Sequence, residues 1–217
     1  MDQTDEYEQG ERVRTWLRNN GSSLIGGIAL GLACLAGWQW WQGQQAQEKV
    51  QAASEFRAFT QALDAKDDAK AQAHATVLQR DYAKSPYPAL AALRQAERLH
   101  AQAKDDEAVK ALDAASRQAG VDPALAELAQ LRAARLLVGM DKSEDALKRL
   151  DASTTSAFPA VAAEIRGDAE MALGRRDAAR AAYALALASL DIGAPTRQMV
   201  EMKLTDAGGS PSAQPET

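Results

Sequence analysis

Cysteine is almost missing from this chain: Cys34 stands alone among 217 residues, so no intramolecular disulfide can form. Aromatic residues make up only 5%, which leaves a core to be built largely from alanine and leucine. No segment alternates valine, isoleucine or threonine with polar residues, so strands are not expected. The formal net charge of −5 is spread without long like-charge runs, unlike the concentrated basic surface of a nucleic-acid binder. Signatures of catalysis are missing too. There is no phosphate-cradling glycine loop, no nucleophile elbow and no Cys-x-x-Cys pair. His74 and His100 each lack a second histidine at ligand spacing. Asp67-Asp68 and Asp105-Asp106 lack the glycine and distal glutamate of a calcium loop, and acidic helix starts account for them better. No catalytic, metal or cofactor site is expected, and the chain reads as a non-enzyme.

Charge is also absent between Arg18 and Glu48, and inside that gap residues 24–41 form the one long apolar run. At about 1.5 Å per residue a helix of this length reaches roughly 27 Å, close to the hydrocarbon thickness of a bilayer. A helix satisfies its own backbone polar groups, so it can occupy that medium. A cleaved signal peptide would show a small-x-small site where this run instead ends in Trp38, Trp40 and Trp41. A buried soluble helix would carry a polar face and no interfacial indoles. The expectation is a single transmembrane helix over 22–41, with the three tryptophans as interface anchors. Arg12, Arg14 and Arg18 precede the run, whereas Lys49 and Arg57 are the first basic residues after it. That bias places the N-terminus in the cytoplasm and the long C-terminal part outside. Gly27 with Gly31, and Ala33 with Gly37, have the small-x-x-x-small spacing that lets a second helix approach closely in lipid.

Beyond the run the sequence predicts an all-α domain of paired helices. Residues 44–64 read as a continuation of the membrane helix, partnered by 69–82. Ser85-Pro86-Tyr87-Pro88 breaks the pattern, and Asp122-Pro123 is an acidic cap followed by proline at the first helical position. The later pairs are 89–103 with 107–118, 124–138 with 144–150, and 160–173 with 176–189. They repeat: Ala96 then Ala108, Ala134 then Ala146, and Gly167, Gly174, Ala179 and Tyr183 hold corresponding positions. Small residues there let paired helices touch, and larger ones fill the gap to the next pair. The expected arrangement is a cytoplasmic tail over 1–21, the span over 22–41, an α-solenoid over 42–206 and a disordered tail over 207–217, where Gly, Ser, Pro and Gln dominate.

Ala108, Ala146 and Ala179 lie 38 and 33 residues apart, which brackets the 34-residue period of tetratricopeptide repeats. The pattern resembles those repeats at three degenerate copies plus a half-repeat over 51–82. The large aromatic expected early in each first helix is replaced by Ala92, Gln130 and Ala163, and Glu170 stands where tyrosine or leucine is usual. A short acidic tail, one span ending in tryptophans and then such repeats resembles the YfgM-type ancillary subunit of the SecYEG translocon. The similar stretches are 13–41, 87–98 and 164–183, with 195–204 similar to that family's C-terminal helix. The resemblance implies a scaffold in the bacterial inner membrane with a periplasmic repeat domain. It implies association with SecYEG and with the membrane-anchored chaperone PpiD, and assistance in handing over newly translocated proteins. A link of the cytoplasmic tail to the stress-response regulator RcsB is implied more loosely. The alternative is a membrane-tethered holdase that binds unfolded clients directly.

A solenoid presents a concave face lined by the first helix of each pair. On that face Arg94, Arg98, Arg132 and Arg135 are candidates for partner contact, against the simpler reading of solvated surface. Met199 and Met202 are further candidates, in a short helix that either caps the array or engages a partner. Arg166-Gly167-Asp168 spells an adhesion tripeptide but falls inside an expected helix, where packing explains it better.

Overall fold

A computed structural model describes residues 3–118, 122–152 and 156–210, and all regular structure among them is helical. The helices are α1 (Gln3–Asp64), α2 (Asp68–Asp81), α3 (Tyr87–Ala101), α4 (Asp105–Ser116), α5 (Pro123–Gly139), α6 (Ser143–Asp151), α7 (Pro159–Ala172), α8 (Arg176–Ala188) and α9 (Arg197–Asp206). The chain divides into two units, Met1–Gln51 and Ala52–Thr217, with the last turns of α1 belonging to the second. In the first unit, α1 is already helical from Gln3, through most of the segment expected as a tail. From Arg18 it is long and apolar enough to cross a membrane, and its most apolar window has no part buried in the protein. Ile25, Leu30, Leu32 and Leu35 are exposed, the condition a lipid-facing helix requires.

The second unit is built by repetition of one turn. Lys66, Ala103, Asp141, Gly174 and Gly208 all have positive φ, between 57° and 85°. After each of the first four, the next helix begins two residues later. The bonding is the same each time. Lys104 N–H donates to Leu99 O at 2.9 Å, Lys142 to Leu137 at 2.8 Å, Arg175 to Glu170 at 2.8 Å and Asp67 to Ala62 at 2.9 Å. These are Schellman closures, which satisfy the last carbonyls of a helix and reverse the chain. The half-repeat expected over 51–82 therefore carries the same closing turn as the others.

Gly208 and Gly209 make the identical closure on α9, with Gly209 N–H donating to Leu204 O at 2.9 Å. So α9 is built like the first helix of another pair. Arg197 donates to Leu187 O and Leu190 O, both at 3.2 Å, and pairs with Glu201 at 3.0 Å, which ties α9 to the C-terminal end of α8. The disordered tail does not begin at Ala207 as expected. Ala207 is only 2% exposed and packs with Val200 and Leu204, because the turn folds it under the helix end. The rest of that tail, from 211 on, lies outside the described residues.

The core is a row of clusters, each made by three consecutive helices. Leu93, Ala96, Ala108, Leu112 and Ala129 join α3, α4 and α5. Leu131, Ala134, Ala146, Leu150 and Ile165 join α5, α6 and α7. Ala163, Ala179, Tyr183, Val200 and Leu204 join α7, α8 and α9. Phe59, Ala62, Leu63, Ala71, Leu78 and Ala91 form the first cluster, with Phe56 against Tyr87 at 5.4 Å between ring centroids. Each pair thus leaves an apolar side open that the next helix covers, which is what makes the array a solenoid. Helix starts follow the sequence signals. Asp122 accepts from Ala124 N–H at 2.8 Å and Asp67 from Lys70 N–H at 3.1 Å. The expected break is present over 82–86, but it ends earlier than expected: α3 begins at Tyr87 and takes Pro88 into its first turn, where proline is tolerated.

Candidate partner-binding face and membrane segment

The membrane segment offers small residues without neighbours. A Cβ built on Gly27, Gly31 or Gly37 meets no atom within 4 Å, and Ala33 is exposed. Trp38 and Trp41 lie with ring centroids 5.5 Å apart, and Trp40 is exposed as well. Cys34 is a free, exposed cysteine in the same stretch.

In the repeat domain the small positions sit where packing needs them. Ala96, Ala108, Ala134, Ala146 and Ala179 are all buried to 3% exposure or less. Gly167 lies against the ring of Tyr183, and Gly174 occupies one of the left-handed turns. Tyr183 donates its hydroxyl hydrogen to Asp168 Oδ1 at 2.8 Å. Burial, reinforced by that carboxylate, pushes the phenol well above its ordinary range. Asp168 of the adhesion-like tripeptide is thus a packing partner, and Arg166 pairs with Asp151 at 2.6 Å.

The four candidate arginines do not stand free. Arg94 Nη1 and Arg132 Nη1 reach the two oxygens of Glu97 at 3.2 and 2.7 Å. Arg135 Nη2 lies 3.4 Å from Glu164. Arg98 is the most enclosed: it donates to Leu63 O at 2.8 Å and to Asp68 at 2.6 Å, tying α3 to the turn between α1 and α2. Lys203 of α9 completes the row, bonded to Glu164 at 2.6 Å and Asp168 at 2.8 Å. Burial works against its charge, but the two carboxylates outweigh it and raise the ammonium pKa. Met199 and Met202 are not brought into this row of contacts; they are 59% and 62% exposed.

Sequence reasoning missed Glu97, Glu164 and Lys203, and placed Asp168 in packing without its partner in α9. Their signal was a spacing: Arg132–Glu97 and Lys203–Asp168 are 35 residues apart, Lys142–Asp106 and Arg149–Asp113 are 36. Opposite charges one repeat apart meet on neighbouring helices. The best enclosed of them is Arg149–Asp113, whose second contact measures 3.0 Å; the carboxylate holds the guanidinium pKa above its usual value.

Between α3 and α5 this face opens into a pocket of about 440 Å³, lined by Leu93, Leu112, Leu136 and Gly139 and rimmed by Glu97, Arg132 and Arg135. Its volume falls in the range of about 300–1,000 Å³ usual for ligand sites.

A profile of tetratricopeptide repeat-like domains matches residues 14–209, nearly the whole described chain. The "Ancillary SecYEG translocon subunit" of Escherichia coli (strain K12) is 30% identical over 207 residues, covering 93% of this chain and 96% of that protein. The chain belongs to this tetratricopeptide repeat-like family of translocon subunits. A protein of the same description from Haemophilus influenzae is 25% identical over 94 residues, 43% of this chain and 46% of its own length. No solved structure matches significantly. Membership of the family accounts for the combination of one apolar helix near the N-terminus with an all-helical repeat array.

Proposed function

We propose that the chain is a non-enzymatic adaptor of the SecYEG translocon, anchored in the bacterial inner membrane by residues 22–41. The observation that carries this reading is the 30% identity to an ancillary translocon subunit along 93% of the chain. The N-terminal residues 1–21 lie in the cytoplasm and the repeat domain over 42–206 in the periplasm, an orientation supported by Arg12, Arg14 and Arg18 ahead of the span. Gly27, Gly31, Ala33 and Gly37 form the contact face toward a neighbouring membrane helix, with Trp38, Trp40 and Trp41 at the outer interface. The repeat domain engages a PpiD-like chaperone and assists the handover of newly translocated proteins; the cytoplasmic tail is the part available to a regulator of the RcsB kind.

Purification of the tagged full chain in mild detergent tests this. SecY and a parvulin-like chaperone are expected to copurify, and recovery of neither under conditions that keep translocon complexes intact would overturn the reading. Orientation has its own measurement. A cysteine placed at exposed Met199 in a Cys34→Ser background should react with a membrane-impermeant maleimide added to spheroplasts, whereas one at Asn19 should not.

A second reading, a tethered holdase, draws on the exposed Met199 and Met202, since methionine adapts to varied apolar partners. It requires the purified protein to suppress aggregation of an unfolded client, and a Met199→Ser/Met202→Ser double variant to lose that effect.

A further inference from the structure

Methionine sulfur is unevenly placed in this chain. Of the five methionines, Met1 lies outside the described residues, and two of the other four are partly buried. Met171 packs against the cluster of Ala163, Tyr183 and Val200. Met140 follows α5 directly, where its N–H donates to Leu136 O at 3.0 Å. Met199 and Met202, by contrast, are 59% and 62% exposed. Their spacing on α9 puts both on one side of that helix.

The positions they hold are polar elsewhere in the array. Counted back from the left-handed turn residues Ala103, Asp141 and Gly208, Arg94 and Glu97 of α3 and Arg132 and Arg135 of α5 correspond to Met199 and Met202. In α7 the corresponding residues are the buried Ile165 and the polar Asp168. Among these helices α9 alone sets two thioethers there. Its attachment does not depend on them. Val200, Leu204 and Ala207 pack its other side against Ala179 and Tyr183. Arg197 holds it to the end of α8, and Lys203 holds it to Glu164 and Asp168 of α7. A polar atom added at either exposed sulfur therefore meets water and leaves no unpaired group in the core.

We infer that Met199 and Met202 form a reversible oxidation site, at which hydrogen peroxide turns one side of α9 from apolar to polar while the array stays folded. A sulfur lone pair attacks one peroxide oxygen, so an S–O bond forms as the O–O bond breaks. Sulfur gives up two electrons to the peroxide. The departing hydroxide takes the proton from the transferred oxygen and leaves as water. The sulfoxide is polar, so any apolar contact that the pair makes is withdrawn, and methionine sulfoxide reductases restore it. The same reaction at Met171 is hindered, because it would place a polar oxygen in an apolar cluster.

The full chain in detergent micelles is exposed to hydrogen peroxide, sampled over time, digested and read by mass spectrometry. Oxidation is measured directly at each sulfur, so the result depends on neither of the functions proposed above. Met199 and Met202 should gain oxygen several-fold faster than Met140 and Met171. Protein oxidised at the pair should melt within about 2 °C of the untreated chain, as a change confined to the surface does. The two reductases specific for the two sulfoxide epimers should then return both residues to methionine. A Met199→Leu/Met202→Leu variant should melt like the parent and leave Met140 and Met171 oxidising at their parental rates. Slower oxidation of those two in the variant would mean that oxidising the pair opens the array, which overturns the proposal. So would oxidation of Met140 or Met171 as fast as the pair, a larger fall in melting temperature once the pair is oxidised, or sulfoxides that the reductases cannot remove.

Discussion

Gly167 of α7 and Tyr183 of α8 are packed so closely that no side chain fits between them. A Cβ at Gly167 would lie 2.9 Å from Tyr183 Cζ and nearer still to the ring edge. The ring cannot swing away freely, because its hydroxyl is held by Asp168 and its faces lie in the cluster with Ala163, Ala179 and Val200. Gly167→Ala gains about 1 kcal/mol of helix propensity. Overpacking here costs about 1–3 kcal/mol. The net expectation is a lower melting temperature by circular dichroism. A Tyr183→Leu second change should relieve the clash and recover part of the loss; if Gly167→Ala melts higher than the parent, the close contact is not as described.

The left-handed turns yield a pair of opposite expectations. Ala103 sits at φ 57° and Gly174 at φ 73°, both as the residue that closes a Schellman turn. A side chain in that region costs about 1–2 kcal/mol, partly offset by the greater freedom of glycine in the unfolded chain. Ala103→Gly should therefore stabilise by about 0.5–1 kcal/mol and Gly174→Ala destabilise by a similar amount. Thermal melts of the two variants beside the parent protein decide it, and shifts of the same sign in both would contradict the geometry.

These turns also mark what the sequence disclosed and what it withheld. The paired alanines were legible because a helix that touches its neighbour must be small at fixed positions, and Ala108, Ala146 and Ala179 recur for that reason. Lys66, Ala103 and Asp141 fall in the turns that the repeat pattern expects, but their left-handed conformation was not legible, because only glycine advertises a positive φ in sequence. Gly208 could have been read that way, and would have extended the packed domain past Asp206. The candidate arginines were found by position, but their partners were not. Arg132 and Glu97 are 35 residues apart, and such a pair is visible only once the register of successive repeats is known.

Cys34 provides an internal reporter for the apolar segment. It is the chain's one cysteine and lies exposed on a helix long and apolar enough to cross a membrane. Maleimides react with thiolate in water, and the hydrocarbon region provides neither water nor a charged thiolate. In intact membranes Cys34 should label poorly, and after SDS denaturation almost completely, as followed by a mass shift on a gel. Rapid labelling in sealed membranes would place this residue in an aqueous environment and contradict a span over 22–41.

Alkaline titration should weaken the C-terminal end of the array. Lys203 bridges Glu164 and Asp168 of α7, and Tyr183 donates to Asp168, so three helices meet at one set of charges. Both proton donors have raised pKa values in the folded protein. Below their ordinary values, 10.0 for the phenol and 10.5 for the ammonium, folded and unfolded chains hold these protons equally and the contribution is fully present. Above about pH 10 the unfolded chain releases protons that the folded chain keeps, so stability falls as pH rises. Melting temperature followed from about pH 8 to pH 11 should decline steeply in the upper part of that window. Tyr183→Phe removes one of the two retained protons, along with a hydrogen bond to Asp168. It should start from a lower melting temperature at pH 8 and lose less on going to high pH. Curves that fall in parallel would show that the phenol is not part of the alkaline response.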